Sequence, residues 1–84
     1  MKDTKSEDEV IAFLLLLTVG ERTEELLEEL RKMKEVVEGY IIYGEWDILI
    51  KVKIKNLPEL TEIVMNLRKK EGIKKTSTLI ALAN

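Results

Sequence analysis

The chain has no cysteine and no histidine among its 84 residues. The first absence excludes disulfides and thiolate nucleophiles, and the second removes the commonest general base. Together they leave haem and zinc without their usual nitrogen and sulfur donors. Glutamine is also missing, proline occurs once, at Pro58, and aromatic residues make up 5% of the chain, with one tryptophan, Trp46. Neither sign of charge dominates, since 14 Lys and Arg stand against 16 Asp and Glu for a net charge of -2. The two signs are interleaved along the chain, which disfavours free-standing contact with nucleic acid. The longest apolar run, residues 10–19 (VIAFLLLLTV), is about half of the roughly 20 residues needed to cross a bilayer. An acidic segment, not a basic leader, precedes it. A cytoplasmic location, no cofactor and no metal are the expectations.

What is present points to one domain. A chain of this length buries about 60 to 65% of the surface its unfolded form exposes, so its core is thin and self-association helps it. Charged residues make up 36% of the sequence, and the dominance of Glu, Lys, Leu and Ile resembles thermophile composition.

Residues 1–9 (MKDTKSEDE) offer almost nothing to bury and read as a flexible lead-in to a domain over 10–84. From Val10 to Leu17 every position is apolar, which predicts a strand covered on both faces. Gly20 interrupts, and Leu26, Leu27, Leu30 and Met33 then mark one face of a helix over 21–34, with acids in its first turns and bases in its last. Residues 36–43 (VVEGYIIY) are β-branched and aromatic and predict a second strand. A third, over 47–55 (DILIKVKIK), alternates Ile48, Ile50, Val52 and Ile54 with Leu49, Lys51, Lys53 and Lys55. Asn56 is a plausible N-cap for a second helix, with Glu59 three residues on and Pro58 in the first turn. Gly72 ends that helix, and residues 73–82 predict a fourth strand with Thr76, Thr78, Ile80 and Leu82 on one face and Ser77, Leu79 and Ala81 on the other.

The order βαββαβ defines an α+β, ferredoxin-like sandwich. Right-handed crossovers make it a four-stranded antiparallel sheet of order 4-1-3-2 with two helices on one face. The other face is left bare, and the first strand is apolar there too. A homodimer pairing two sheets face to face is therefore expected.

Two stretches hold polar groups that packing does not require. Gly44-Glu45-Trp46-Asp47 is short enough for a hairpin turn. It also sets a carboxylate and accessible N–H groups beside an aromatic ring. Thr76-Ser77-Thr78 places three hydroxyls on one strand. A plain turn and ordinary strand threonines account for each stretch alone. Together they supply what a small zwitterion needs: an acid for the ammonium, donors for the carboxylate, and Trp46 or Tyr43 as a wall. Glu24, Glu25, Glu28 and Glu29 read as the solvated side of a helix, with Glu28 and Lys32 spaced for an i, i+4 pair, and Lys51, Lys53 and Lys55 as a solubilising row. No phosphate loop, nucleophile elbow or acidic metal loop is present, so no catalytic residue is assigned.

Tyr-Gly-Glu-Trp-Asp running into ILIKV, followed later by Gly-Ile and a Thr-Ser-Thr-Leu-Ile strand, resembles the effector-binding domain of Lrp/AsnC transcription regulators. This is the RAM domain, named for regulation of amino-acid metabolism, and the resemblance runs from about residue 10 to 82. It implies a sheet-paired dimer that assembles further, into an octamer or similar ring, and an amino-acid effector held between dimers. The contacts it implies are Gly44, Glu45, Trp46 and Asp47 with Thr76, Ser77 and Thr78, and more weakly Tyr43. Family regulators carry an N-terminal helix-turn-helix domain, whereas nine residues precede the first strand here. The reading is thus a stand-alone form acting through a full-length regulator, without direct nucleic-acid or membrane contact. The rival readings are a small enzyme of the dimeric α+β barrel type, and an oligomerisation module with no ligand.

Overall fold

The computed structural model describes residues 9–81. Residues 1–8 of the lead-in read over 1–9, and residues 82–84 at the end of the domain read over 10–84, Leu82 among them, lie outside the described residues. Four strands, β1 (Val10–Thr18), β2 (Val36–Ile41), β3 (Ile48–Ile54) and β4 (Ile73–Ala81), and two helices, α1 (Thr23–Arg31) and α2 (Leu57–Arg68), follow each other as βαββαβ. The sheet order is β2-β3-β1-β4 with every neighbouring pair antiparallel. This is the predicted 4-1-3-2 sheet of a ferredoxin-like α+β fold.

The register explains how one strand serves two environments. Leu16 lies between Ile48 and Thr76, Leu15 between Leu49 and Ser77, and Leu14 between Ile50 and Thr78. Side chains alternate across the pleat, so Ala12, Leu14 and Leu16 face the helices with Ile48, Ile50, Val52 and Ile54. All of these are buried, and Leu26, Leu27, Leu30, Leu60, Ile63 and Leu67 close over them from the helices. Each fully buried aliphatic contributes about 1.5–3 kcal/mol of transfer free energy. The opposite face carries Ile11, Phe13, Leu15 and Leu17, all half-buried, with Leu49 beside them and Tyr40 and Leu79 exposed at the two edges.

Capping bonds hold α2 in place. The Asn56 side chain accepts the Glu59 N–H at 2.9 Å, and the Glu59 carboxylate reaches back to accept the Lys55 N–H at 2.9 Å. Of the four N–H positions that a helix start leaves without partners, Pro58 has no N–H and Asn56 satisfies that of Glu59, and the preceding loop is tied to the first turn. Past the helix, Gly72 takes φ +99° and lets the chain turn into β4.

Several predicted boundaries differ, among them the end of the second helix, which stops at Arg68 ahead of Gly72, and that of the third strand, which stops at Ile54. The first helix opens with a 3-10 turn, Gly20–Arg22, closed by the Arg22 N–H on the Val19 carbonyl at 2.8 Å, and ends at Arg31, not Lys34. The second strand stops at Ile41, although Ile42 still donates to the Asp47 carbonyl at 2.9 Å, and Gly44, at φ +135°, turns the chain beyond it. The third strand begins at Ile48, so the hairpin loop runs over six residues, 42–47, longer than the four read from sequence. Among the described residues no helix is long and apolar enough to cross a membrane.

Candidate functional site

Asp47 fixes the 42–47 loop through its backbone N–H, its carbonyl and one carboxylate oxygen. Its N–H donates to the Leu16 carbonyl at 2.9 Å, and its own carbonyl accepts the Ile42 N–H at 2.9 Å. Carboxylate oxygen Oδ2 accepts the Thr18 N–H at 2.8 Å and the Thr18 hydroxyl at 3.2 Å. The Thr18 and Thr23 hydroxyls are 2.6 Å apart. Thr18 has one hydroxyl proton, and the geometry gives it to Asp47, so Thr23 is the donor to Thr18. A relay from Thr23 through Thr18 to Asp47 therefore ties the start of α1, the end of β1 and the hairpin loop together. No hydrogen bond to the second carboxylate oxygen, Oδ1, is made among the described residues.

Around this relay lies an open hollow of about 470 Å³, lined by Gly20, Glu21, Thr23, Glu24, Ile41, Ile42, Tyr43 and Asp47. Its walls are apolar on the β2 side and carboxylate-rich on the helix side. Tyr43 is 95% exposed at its rim. Trp46 is half-buried, while Gly44 and Glu45 are exposed.

The second predicted stretch lies elsewhere in the same chain. Thr76 and Ile48 flank Leu16 from opposite sides, which sets β4 two strand spacings, about 10 Å, from β3. Thr76 and Thr78 share the helix-facing side with Leu16 and Leu14, while Ser77 shares the bare side with Leu15. The structure thus brings Tyr43 and Asp47 to one hollow but leaves Thr76, Ser77 and Thr78 outside it, with β1 intervening.

Sequence reasoning missed Thr18 and Thr23. The signal was present: Thr18 continues the Ala12, Leu14, Leu16 parity and is 4% exposed. A polar residue on a core-facing position needs a partner.

Several of the other charged groups have structural partners. Glu29 meets Lys70 at 3.0 Å, joining α1 to the end of α2, and Arg22 meets Glu25 at 3.1 Å. The hydrogen bond and the charge of Lys70 hold the Glu29 carboxyl below its ordinary value. Glu28 makes no ion pair with Lys32 among the described residues. On the bare sheet face the Tyr40 hydroxyl donates to Glu38 at 2.9 Å, and that bond, with the carboxylate's charge, raises the Tyr40 phenol above its ordinary value. At the far end of the sheet Lys53 pairs with Glu9 at 3.7 Å beside a 260 Å³ hollow in which Lys34 and Lys55 face Glu35 and Glu59. Its balanced signs favour no ligand of either charge. No cluster of three acids that could hold a metal occurs among the described residues.

Comparison with known proteins places this architecture. The family model described as the Lrp/AsnC ligand binding domain matches residues 11–84. The helix-turn-helix transcriptional regulator FL11 of Pyrococcus furiosus is 32% identical over 73 residues, 87% of this chain and 48% of that protein. The chain thus spans about half the length of the curated relatives it matches. The crystal structure of FFRP-DM1 superposes with a TM-score of 0.84 at 39% identity, covering 87% of this chain and 99% of that one. A transcriptional regulator of Neisseria meningitidis solved with L-Met superposes with a TM-score of 0.84 at 18% identity, covering 99% of this chain and 56% of that one, a likeness of fold. Several of the curated relatives come from Pyrococcus species, in keeping with the composition. On the match over residues 11–84, this chain belongs to the Lrp/AsnC family of transcription regulators and carries its ligand-binding domain.

Proposed function

We propose that this chain binds an amino-acid effector in the hollow beside Asp47 and transmits its presence to transcription regulation through a partner regulator of the same family, without catalysis. The observation that carries the reading is the convergence of Asp47, Thr23 and Tyr43 on a 470 Å³ hollow in a domain whose family model is that of a ligand-binding module. A hollow of that size accommodates an amino acid. Asp47 Oδ1 is the acceptor for its ammonium, Ile41 and Ile42 form the apolar wall, and Tyr43 covers the mouth. The predicted contacts Gly44, Glu45 and Trp46 belong to the same loop but do not line the hollow within one copy. Thr76, Ser77 and Thr78 join the site only from a second copy, since β1 separates them from Asp47 within one chain.

A different copy covers the bare sheet face. Phe13, Leu15, Leu17 and Leu49 form a contiguous apolar surface there, and pairing two such faces removes it from water. Further assembly of these dimers into an octamer or similar ring belongs to the same proposal, as does a cytoplasmic location. The L-Met held by the Neisseria regulator makes an amino acid the first class of ligand to try.

A second reading also has an observation in its favour. Asp47 Oδ2 already holds Thr18, so the carboxylate serves the fold whether or not a ligand arrives. A purely structural oligomerisation module would need nothing more. Thermal denaturation in the presence of each amino acid at millimolar concentration separates the two. A ligand at about 100 times its Kd stabilises the native state by about 2.7 kcal/mol, a shift of roughly 10–20 °C for a domain of this size. An unchanged midpoint with every amino acid would leave the structural reading in place.

A further inference from the structure

The two edges of the sheet are finished differently. β2 is six residues long, its ladder to β3 slips between Val36 and Glu38, and Arg31 donates to the Gly39 carbonyl at 2.9 Å. β4, the other edge, is nine residues long and pairs with β1 without a break from Lys75, opposite Leu17, to Ala81, opposite Ile11. It contains no proline, and after Lys74 and Lys75 its residues 76–81 (TSTLIA) carry no charge. Leu79 is 54% exposed on the bare face and Ile80 48% exposed on the helix side. Among the described residues no hydrogen bond other than those of the ladder to β1 reaches the backbone of 74–81.

An edge strand presents a row of unpaired N–H and C=O groups, and shortness, bulges, charge or a covering group ordinarily blunts it. β2 is blunted in this way, whereas β4 from Thr76 onward is not. Donors and acceptors alternating at strand spacing recognise another extended backbone, and the side chains on either face of the edge select its sequence. Thr76, Thr78 and Ile80 flank the edge on the helix side and Ser77 and Leu79 on the bare side, which suits small polar and aliphatic residues in alternation. Lys74 and Lys75, exposed and outside any ion pair among the described residues, call for acids at one end. A second β4 supplies none, since IKKTSTLIA contains no acid, and the β2 edge of a second copy is covered by Arg31. The complementary strand therefore comes from a different protein. Antiparallel pairing, the commoner arrangement, sets its acids at its C-terminal end, beside the start of β4.

We propose that the outer edge of β4 docks an extended segment of a partner protein, small polar and aliphatic in alternation and acidic at its C-terminal end, which adds to the sheet as a further antiparallel strand. The contact uses the backbone of β4 and lies outside the hollow beside Asp47, so it needs no amino acid. Pairing of two bare sheet faces leaves it open as well, because the outward N–H and C=O groups of an edge lie in the plane of the sheet.

Amide hydrogen exchange of the full chain, with and without the end-blocked peptide Thr-Val-Thr-Val-Ser-Glu-Glu, tests it. Saturable slowing of exchange within residues 76–81 is expected, with the amides of β2 unchanged. The same peptide with every backbone nitrogen methylated is expected to give no slowing, since it has lost the donors that face the edge. Lys74→Glu/Lys75→Glu is expected to bind the Glu-ended peptide about 10-fold more weakly or worse. That variant is expected to slow its exchange with Thr-Val-Thr-Val-Ser-Lys-Lys instead, a recovery that also shows it is folded. The proposal is overturned by exchange that stays unchanged at millimolar peptide, by equal slowing with the methylated peptide, or by equal affinity of the two proteins for the Glu-ended one. Exchange within 76–81 that slows with protein concentration in the absence of peptide overturns it in favour of a second copy of this chain.

Discussion

The carboxylate of Asp47 accepts the backbone N–H of Thr18 at 2.8 Å across 29 residues of sequence. This bond makes Asp47 part of the fold as well as part of the candidate site. Replacing it with alanine strands a partly buried N–H and breaks the Thr23–Thr18–Asp47 relay. The expected cost is about 1–3 kcal/mol, a large share of the roughly 5–8 kcal/mol available to a domain this small. Asp47→Asn keeps an acceptor oxygen for Thr18 and is expected to cost less than half as much. Urea denaturation of both variants checks the order, and equal midpoints for Asp47→Ala and wild type would show that the relay carries no stability.

The turn into β4 depends on a glycine. Gly72 sits at φ +99°, and a Cβ there would come within 3.1 Å of Leu26 Cδ1. Gly72→Ala therefore combines backbone strain with crowding and is expected to destabilise by about 2–4 kcal/mol. Gly44, at φ +135°, has nothing within 4 Å of such a Cβ. Its alanine variant is expected to show the strain alone, about 1–3 kcal/mol. Thermal midpoints in the reverse order would contradict the packing assigned to Leu26.

The Glu29–Lys70 pair makes stability depend on acid. The folded-state pKa of Glu29 is depressed from 4.5, so the pair's contribution is fully present above that value and is lost as pH falls through the lower folded one. Between pH 6 and pH 3 the melting temperature of wild type is expected to fall further than that of Glu29→Gln. The difference should shrink at high salt, because both side chains are substantially exposed. Parallel melting curves for the two proteins would remove the pair from the account.

The bare sheet face gives a direct mutational target. Phe13 lies between Lys51 and Leu79 on that face, away from the helices and the hollow. Phe13→Glu places a charge where two apolar faces meet and is expected to yield a folded monomer with wild-type helix content. Light scattering checks the mass, and an unchanged dimer would relocate the interface.

Much of this fold was legible in the sequence because its elements differ sharply in period. The unbroken run through Leu14 to Leu17 required cover on both faces, and the strict Ile48, Ile50, Val52, Ile54 alternation set which face was core. Asn56 and Glu59 announced a helix start, and both side chains make capping bonds. The boundaries around residues 20 and 42 were not legible, because tertiary hydrogen bonds set them. The Thr23 hydroxyl bonds to Thr18, and the helix is entered through a 3-10 turn with no side-chain cap bond. Asp47 closes the loop by reaching to β1, a strand that no local pattern in residues 42–47 reveals. For the same reason the spatial separation of Asp47 from Thr76, Ser77 and Thr78 follows only from strand order and register.

Isothermal titration calorimetry of the wild-type chain with each of the twenty amino acids, repeated with Asp47→Asn, tests the central claim most directly. The account predicts saturable heat with at least one amino acid and a loss of affinity of about 10-fold or more in Asp47→Asn, whose fold is retained but whose charge is gone. Absence of heat with all twenty at millimolar concentration, or equal affinity in the two proteins, would contradict it.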